Sequence, residues 1–598
     1  MGVIQQTMRR TDRFRKIGAK NLAIISACIV IIAGSLSGIA YAVYALFFMP
    51  NGTMVPAFEE GRLNLVIEGN VITEPTQPKL VEGEILLPLD TIRRYFDRTI
   101  NWDAKLHKLN VTTKDRVIRM KTDSLQAFVN NKPVTLDIPV MEEAGKVFAP
   151  IEFLSDFYNI DITYVKENNV IVIDYKNGIK QTGEPLTADT VVRNGKSRRS
   201  PILKKYENGV PGANSLRIFD EDEKWYKVRT DDGIIGYAEK KYVAANLPVE
   251  VKAPEEKPQD AVWKPKDGKL NMAWDYIGGS RIKLSSRKKI DGLDVISPTW
   301  FQVTGEDGAI KNNADAKYID WAHNNGYKVW ALFSNNFSDP AKSSNFLSNT
   351  DARDNAIRQL LAFTSLYRLD GINIDFENLL ESDKDALTQF VREITPLLRE
   401  QGLIVSIDVN TAPCYDREAL GGIVDYVALM AYDQHWKGGK TAGSVAELDW
   451  VDSTVNSFLK AIPEEKLILG IPFYTRVWML TADKDGEVKL DSEALSMQEA
   501  EKLIRNNAAN VVWEETSGQF YAEYAKKGTT YRIWLEDINS LNLRTSLVQK
   551  YKLAGAAAWR LDYETPDVWK AITDNLKDLK TYDEWQQKNA GKSYIYTK

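Results

Sequence analysis

At 598 residues the chain is longer than one hydrophobic core supports, and three or four domains are expected. A hydrophobic content of 44% and a charged content of 27% are those of a folded globular protein, while a formal net charge of -5 argues against a dedicated nucleic-acid binder, which would carry a basic excess. The two cysteines, Cys28 and Cys414, exclude a disulfide framework and a cysteine-rich zinc site, and His107, His323 and His435 lack metal-ligand spacing, so neither a metal nor another cofactor is expected.

Residues 1–20 form a polar, basic tail, with Arg9, Arg10, Arg13, Arg15, Lys16 and Lys20 against a single acid, Asp12. Residues 21–48 carry no charge, a run longer than the roughly 20 residues that span a bilayer. The basic flank on the N-terminal side places residues 1–20 in the cytoplasm and the chain after about residue 50 outside. The expectation is a single-pass anchor in the cell membrane with an extracytoplasmic body. Ala40-Tyr41-Ala42 has the small-x-small pattern of a cleavage site, so secretion after signal cleavage is the competing reading. The apolar run continues past that site to Phe48, which favours the retained anchor.

Residues 60–176 contain an internal repeat. Leu86-Leu87-Pro88-Leu89, then Ile92, Tyr95-Phe96, Trp102 and Leu109-Asn110-Val111, is echoed about 62 residues later by Phe148-Ala149-Pro150-Ile151, Leu154, Phe157-Tyr158, Tyr164 and Ile171-Val172-Ile173. Each copy reads as a short helix followed by a β-hairpin. The pattern resembles the copper amine oxidase N-terminal domain, a β-rich surface module; no copper-ligand cluster accompanies it. Residues 180–246 read as short strands, and Trp225-Tyr226-Lys227-Val228-Arg229, the Asp231-Asp232-Gly233 turn and Gly236-Tyr237-Ala238 resemble bacterial Src-homology-3-like domains. Residues 247–262 form a charged, proline-bearing linker.

From 263 to 585 strands and helices alternate. Strands are expected at 270–276, 295–303, 328–333, 371–376, 404–409, 426–431, 466–471 and 555–559, with helical spacing in most intervals, for example Asp383–Glu400 and Asp449–Ala461. Eight such repeats are the pattern of a TIM-type β/α barrel. The interval from Trp478 to about Tyr551 is too long for one connection and predicts an α+β insertion, with a helix over 496–507 and strands over 510–514 and 530–535. The expected fold class is therefore α/β: a barrel with an insertion, preceded by two small β-rich modules and a transmembrane helix.

The chemistry concentrates on the fourth barrel strand. In Gly371-Ile372-Asn373-Ile374-Asp375-Phe376-Glu377 the polar residues fall two apart and share one face. Barrel strands are buried on both faces and should be apolar on both, so this series is an exception, and Glu377 falls at the C-terminal end, where barrel sites lie. Carboxylates crowded there repel one another, and burial adds to the effect, raising at least one pKa as a general acid requires. An ion-pair network would be the structural alternative, but the inner stretches of the other strands offer no lysine or arginine.

Asp370-Gly371-Ile372-Asn373-Ile374-Asp375-Phe376-Glu377 is similar to the Asp-x-x-Asp-x-Asp-x-Glu signature of family 18 glycoside hydrolases, the family of chitinases and endo-N-acetylglucosaminidases. Met430-Ala431-Tyr432-Asp433, Leu469-Gly470-Ile471-Pro472-Phe473-Tyr474 and Gly555-Ala556-Ala557-Ala558-Trp559 resemble its sixth-, seventh- and eighth-strand motifs, and the flavour is that of the spore and cell-wall lytic branch. The chain departs from the signature at Asn373, where the family has Asp; an amide still donates and accepts there.

The resemblance implies a retaining, substrate-assisted mechanism. Glu377 is the acid and base, Asp375 orients the substrate acetamide, and Tyr432 bonds its carbonyl. Asp370 and Asn373 hold Asp375 from behind, while Asp433, Trp559, Trp436, Tyr474 and Arg476 line the sugar site. Trp300 and Trp478 are further candidates for the rim, and His435 reads as a loop residue. The implied partner is an N-acetylated polysaccharide, peptidoglycan ahead of chitin. The alternative is a non-catalytic, chitinase-like lectin; such relatives commonly lack the acid that Glu377 supplies here.

Overall fold

The computed structural model describes residues 2–47, 49–206, 215–253, 262–278, 284–482 and 487–596. Phe48 at the end of the apolar run and residues 254–261 of the expected linker lie outside them. A single helix runs over Gly2–Phe47. Its Asn21–Ala45 stretch has a mean hydropathy of 2.4, is long enough to cross a bilayer, and is 0% buried against the rest of the chain.

The chain divides into two compact units. The first comprises residues 1–91 and 148–256. In it Leu65–Ile67 pairs in parallel with Ile171–Ile173, and Leu86–Pro88 pairs antiparallel with Phe148–Pro150. Residues 178–251 add a mostly antiparallel sheet in which Trp225–Thr230 lies between Leu216–Glu221 and Ile235–Glu239. Asp174 ties this sheet to the repeat, accepting from both Arg217, at 2.8 Å, and Arg229.

The second unit comprises residues 92–147 and 257–598 and is built on the barrel. Its parallel strands are β1 (Leu270–Asp275), β2 (Val295–Val303), β3 (Lys328–Ser334), β4 (Gly371–Asp375), β5 (Ile404–Val409), β6 (Tyr426–Met430), β7 (Leu467–Pro472) and β8 (Gly555–Trp559). Each pairs with the next, and β8 returns to β1, so the sheet closes. The near-continuous apolar runs of these segments follow from closure, which buries both faces.

Inside, Met272, Trp274, Trp330, Leu332, Tyr426 and Ile468 fill the lumen. Outside, Ile372, Ile374 and Phe376 of the β4 segment pack under the helices, where Phe376 meets Phe333, Phe346 and Phe390 at ring distances of 5.3, 6.1 and 5.5 Å. Gly371 lets Trp330 fill the lumen beside it, since a Cβ there would stand 2.8 Å from the indole and 2.6 Å from the Ile404 carbonyl. The helix over Lys384–Glu400 buries Leu387, Phe390, Val391, Ile394, Leu397 and Leu398, the three-and-four spacing of one helical face.

The insertion is larger than its expected outline. The helix (Met497–Asn506) and the strands Asn510–Glu514 and Thr529–Trp534 form where the sequence places them. The domain begins earlier, however, with Tyr474–Ala482 leaving β7 directly and pairing with Val488–Ser496, and it adds Gln519–Lys526 to complete a five-stranded antiparallel sheet. Tyr474 and Arg476 thus belong to the insertion's first strand.

Residues 101–135 form a five-stranded antiparallel sheet that belongs to the barrel's unit. Its Arg119 pairs with Asp354 at 3.1 Å, and Asn130 and Lys132 reach Glu400 at 3.0 and 3.1 Å.

Candidate active site

The site assembles at the C-terminal ends of the barrel strands. Asn373 and Asp375 point into the lumen and are 0% and 6% exposed. Glu377 follows β4 and is held by its backbone: its N–H donates to Asn335 Oδ1 at 2.9 Å, and its carbonyl accepts from Asn335 Nδ2 at 2.8 Å. The carbonyl of Phe376 accepts from the Tyr415 hydroxyl at 2.8 Å. Side chains after β3 and β5 therefore fix the peptide that carries the acid.

Around this series, Trp274 at the end of β1 stands edge-on to Tyr432 and Trp559, with ring centroids at 6.5 and 6.1 Å, and Tyr432 stands edge-on to Tyr474 at 6.2 Å. Gly470 makes room for Tyr432: a Cβ would lie 3.2 Å from the tyrosine ring and 2.5 Å from the Leu429 carbonyl. Asp433 adopts a left-handed backbone (φ 58°) that turns its carboxylate toward the insertion, where it accepts from the Tyr474 hydroxyl at 2.5 Å and lies 3.8 Å from Arg476.

Electrostatics follow from burial without cations. Asp375 is pushed well above the usual carboxylate range by burial, by Glu377 and by Asp408, and its Oδ1 has no hydrogen-bond partner. Burial, with Asp433 adding to it, raises Glu377 to about 7. Asp408 on β5 is raised by burial and by Glu377, while N–H donors from Asn373 and Trp274 pull it back. Tyr432 is likewise raised, chiefly by burial. Among the described residues no lysine or arginine offsets any of the three carboxylates.

The structure brings Asn373, Asp375, Glu377, Tyr432, Asp433, Tyr474, Arg476 and Trp559 to one end of the barrel, and it separates others. Asp370 precedes β4 at the opposite end, where its carboxylate accepts from Lys328 at 2.6 Å, from the Val329 N–H at 2.9 Å and lies 2.9 Å from His323. Four residues of extended strand lie between it and Asp375, so it anchors the strand's start and does not hold Asp375. Trp300 is a correction too: it is 1% exposed and packs edge-on to Tyr318 in the layer under the helices. Trp478 is equally buried and donates its indole N–H to the Gly443 carbonyl at 2.8 Å. His435 faces the Ser444 carbonyl at 2.8 Å within its loop. Trp436 is 56% exposed on the same loop, beyond the packed aromatics.

Sequence reasoning passed over Asp408, Asn335, Tyr415 and Trp274. Asp408 had a signal, since Val405-Ser406-Ile407-Asp408-Val409 repeats the β4 alternation of polar and apolar residues. Asn335 and Tyr415 had none, because each acts on backbone about 40 residues away in sequence.

The sequence profile of glycosyl hydrolases family 18 matches residues 272–564, and that of the copper amine oxidase N-terminal domain matches residues 66–173. A Bacillus subtilis protein named uncharacterized glycosylase YvbX is 29% identical over 46% of this chain and 82% of its own length. The cortical fragment-lytic enzyme of Bacillus subtilis is 25% identical over 39% of this chain and 56% of its own. Human di-N-acetylchitobiase is 25% identical over 47% of this chain and 79% of its own. The crystal structure of a chitinase from Chromobacterium violaceum is 23% identical and overlaps 52% of this chain and 99% of that one, with a TM-score of 0.46. Residues 272–564, with the acid series at the mouth of their closed barrel, are a glycosyl hydrolase family 18 enzyme domain, and a copper amine oxidase N-terminal domain stands ahead of it.

Proposed function

We propose that this protein is a membrane-anchored, extracytoplasmic glycosidase that cleaves β-1,4-linked N-acetylglucosamine glycans with retention, using the substrate's own acetamide as nucleophile. The observation that carries the reading is Glu377, a half-buried carboxyl raised to about 7 and fixed through its backbone at the barrel mouth. A carboxyl with that pKa is protonated near neutrality and can act as a general acid.

Asp375 ends β4 and Glu377 follows it two residues on, a spacing that in extended chain is about 6–7 Å and puts both side chains on one side. They approach a bound sugar from one side, which suits a pair that serves the leaving group and the acetamide rather than an acid and a nucleophile flanking the ring. Glu377 gives its proton to the glycosidic oxygen as the bond from that oxygen to the anomeric carbon breaks. The acetamide oxygen forms the new bond to that carbon, giving an oxazolinium ion, and Asp375 orients the acetamide N–H and balances the positive charge. Glu377, now ionised, takes a proton from water as that water opens the ring. Tyr432 bonds the acetamide carbonyl, Asp433 and Tyr474 hold the same sugar, and Trp559 supplies an apolar floor. Without an N-acetyl group there is no nucleophile, which sets the substrate class.

Peptidoglycan is favoured over chitin. The apolar N-terminal helix, with basic residues before it, supports a barrel held outside the membrane, next to wall glycan. The relatives named cortical fragment-lytic enzyme point the same way, while the one named di-N-acetylchitobiase keeps chitin oligomers as the second substrate. The test uses the full chain in detergent, wild type and Glu377→Gln, incubated with purified peptidoglycan and with N-acetylglucosamine oligomers and read by mass spectrometry. Fragments with N-acetylglucosamine at the new reducing end, made by wild type and reduced about 10³-fold in the variant, are expected. Equal binding with no cleavage by either protein would make the barrel a lectin.

A further inference from the structure

One cation at the barrel mouth has no acid to meet. Arg560 follows Trp559 at the end of β8, and the turn it opens is fastened on both sides. The Leu561 N–H donates to the Trp274 carbonyl on β1 at 3.0 Å, and the Tyr563 N–H donates back to the Arg560 carbonyl at 3.2 Å. The half-buried side chain of Arg560 lies over two rings, with Cζ 3.9 Å from the centre of Tyr563 and 4.8 Å from that of Tyr276. Tyr276 is the first residue past β1 and is 51% exposed. Gly278 leaves room for it, since a Cβ there would stand 2.8 Å from its ring. Among the described residues no carboxylate pairs with Arg560: Asp562, two residues on, bonds Arg287 at 2.5 Å, and Asp433 faces Arg476 at 3.8 Å.

Stacking occupies the faces of a guanidinium and leaves its in-plane N–H donors, a fork that fits a carboxylate through two hydrogen bonds at once. Two rings already hold the side chain, so little rotamer freedom is left to lose when a ligand docks. The acids of the site do not use this charge, because no arginine offsets Asp375, Glu377 or Asp408. Arg560 therefore stands off from the reacting pair, beside the indole that supports the reacting sugar.

Chitin is neutral along its length and offers such a cation nothing. In peptidoglycan N-acetylglucosamine alternates with N-acetylmuramic acid, which carries a lactyl group on O3. With N-acetylglucosamine over Trp559, both neighbouring sugars are muramyl, so either neighbour brings a lactyl group to this side of the mouth. Its carboxyl is ionised near neutrality when free, and uncharged when joined to a peptide as an amide.

We propose that Arg560 is a substrate-binding residue that grips the free lactyl carboxylate of the muramyl sugar beside the one cleaved, so that the barrel selects glycan strands already stripped of their peptides. The inference rests on the glycosidase reading and deepens it. The reaction that must supply the substrate is hydrolysis of the lactyl amide: water breaks the C–N bond, the peptide leaves with its amine, and the acid left on the sugar ionises.

The test uses the full chain in detergent and three substrates: peptide-free glycan strands, the same strands with their carboxyls converted to methylamides, and N-acetylglucosamine oligomers. Wild type is expected to show a kcat/KM at least tenfold higher on the free strands than on the amidated ones. In Arg560→Gln that ratio should fall toward one, chiefly through KM, and Arg560→Lys, which keeps the charge without the fork, should fall between. Wild type cutting free and amidated strands alike overturns the proposal. So does an Arg560→Gln chain, still unfolding cooperatively, that loses the same factor on all three substrates, since the arginine would then be part of the packing alone. Should the glutamine variant not fold, the wild-type ratio and that of Arg560→Lys still decide.

Binding separates this proposal from the glycosidase reading. Calorimetry on Glu377→Gln, with the free and the amidated strands, needs no turnover. About tenfold tighter binding of the free strands, lost in Glu377→Gln/Arg560→Gln, is expected, and equal binding of the two strands overturns the assignment. If wild type cleaves no glycan, the glycosidase reading fails by itself, and the binding ratio still decides Arg560.

Discussion

Two kinds of buried acid sit in the barrel unit and behave in opposite ways. Glu393, on the helix Lys384–Glu400, is 0% exposed and receives both branches of Arg353 at 2.9 and 2.8 Å, with Gln389 adding a third contact at 2.9 Å. The guanidinium outweighs burial, and the Glu393 carboxyl is held below its ordinary pKa. At the barrel mouth Asp375, Glu377 and Asp408 have no such partner, and burial pushes all three up. The helix layer satisfies its buried charge and uses it as structure. The mouth leaves its acids short of compensation, as a site must if a carboxyl is to hold a proton near neutrality.

The comparison predicts opposite signs for the same isosteric change. Glu393→Gln leaves a guanidinium buried and unpaired, and a loss of about 3–5 kcal/mol of stability is expected from chemical denaturation at pH 7. Glu377→Gln removes a group that the folded state prefers to keep protonated. Its folded pKa of about 7 lies above the ordinary 4.5, so the folded chain binds the proton more tightly. The stability linked to Glu377 is therefore complete below about pH 4.5 and is lost as pH rises toward 7. The glutamine variant escapes that loss. It should match wild type near pH 4 and exceed it by ~1–2 kcal/mol near pH 8, the discount reflecting partial exposure. A Glu377→Gln chain less stable than wild type at pH 8 would mean that the acid is compensated after all, and the contrast between the two layers would fail.

Much of this was legible from sequence, for identifiable reasons. The eight barrel strands announced themselves because closure buries both faces of each, and runs such as Ile404–Val409 are apolar enough to stand out from the helices around them. The acid series on β4 was legible as an exception to that same rule. The hairpin of Tyr474–Ala482 and Val488–Ser496 was not, because its second strand is largely exposed and its residues, Val488-Lys489-Leu490-Asp491-Ser492-Glu493, read as polar chain. Trp300 misled because an aromatic near a strand end serves a sugar or a core equally well, and only the layer it faces decides. Asn335 was out of reach: an asparagine after an apolar strand has no local mark of the peptide it will grip across the barrel mouth.

The smallest expected effect separates the two ends of a single strand. Asp370 and Asp375 are five residues apart in an eight-residue motif, and by type and spacing alone they look like members of one set. Asp370 instead bonds Lys328 and the Val329 N–H at the closed end of the barrel. The lysine is about a third exposed, so the pair is screened by solvent and contributes little. Asp370→Asn keeps an oxygen to accept from Val329 but loses the charge and the hydrogen bond from Lys328, so a destabilisation of about 1 kcal/mol is expected, with kcat and its pH profile unchanged. Asp375→Asn, at the other end, should leave stability level or higher and lower kcat severely, because the acetamide loses the carboxylate that balances its charge. A fall in kcat for Asp370→Asn beyond what its stability explains would show that the strand transmits its anchoring to the acids, and the division between anchoring and reacting ends would have to be withdrawn.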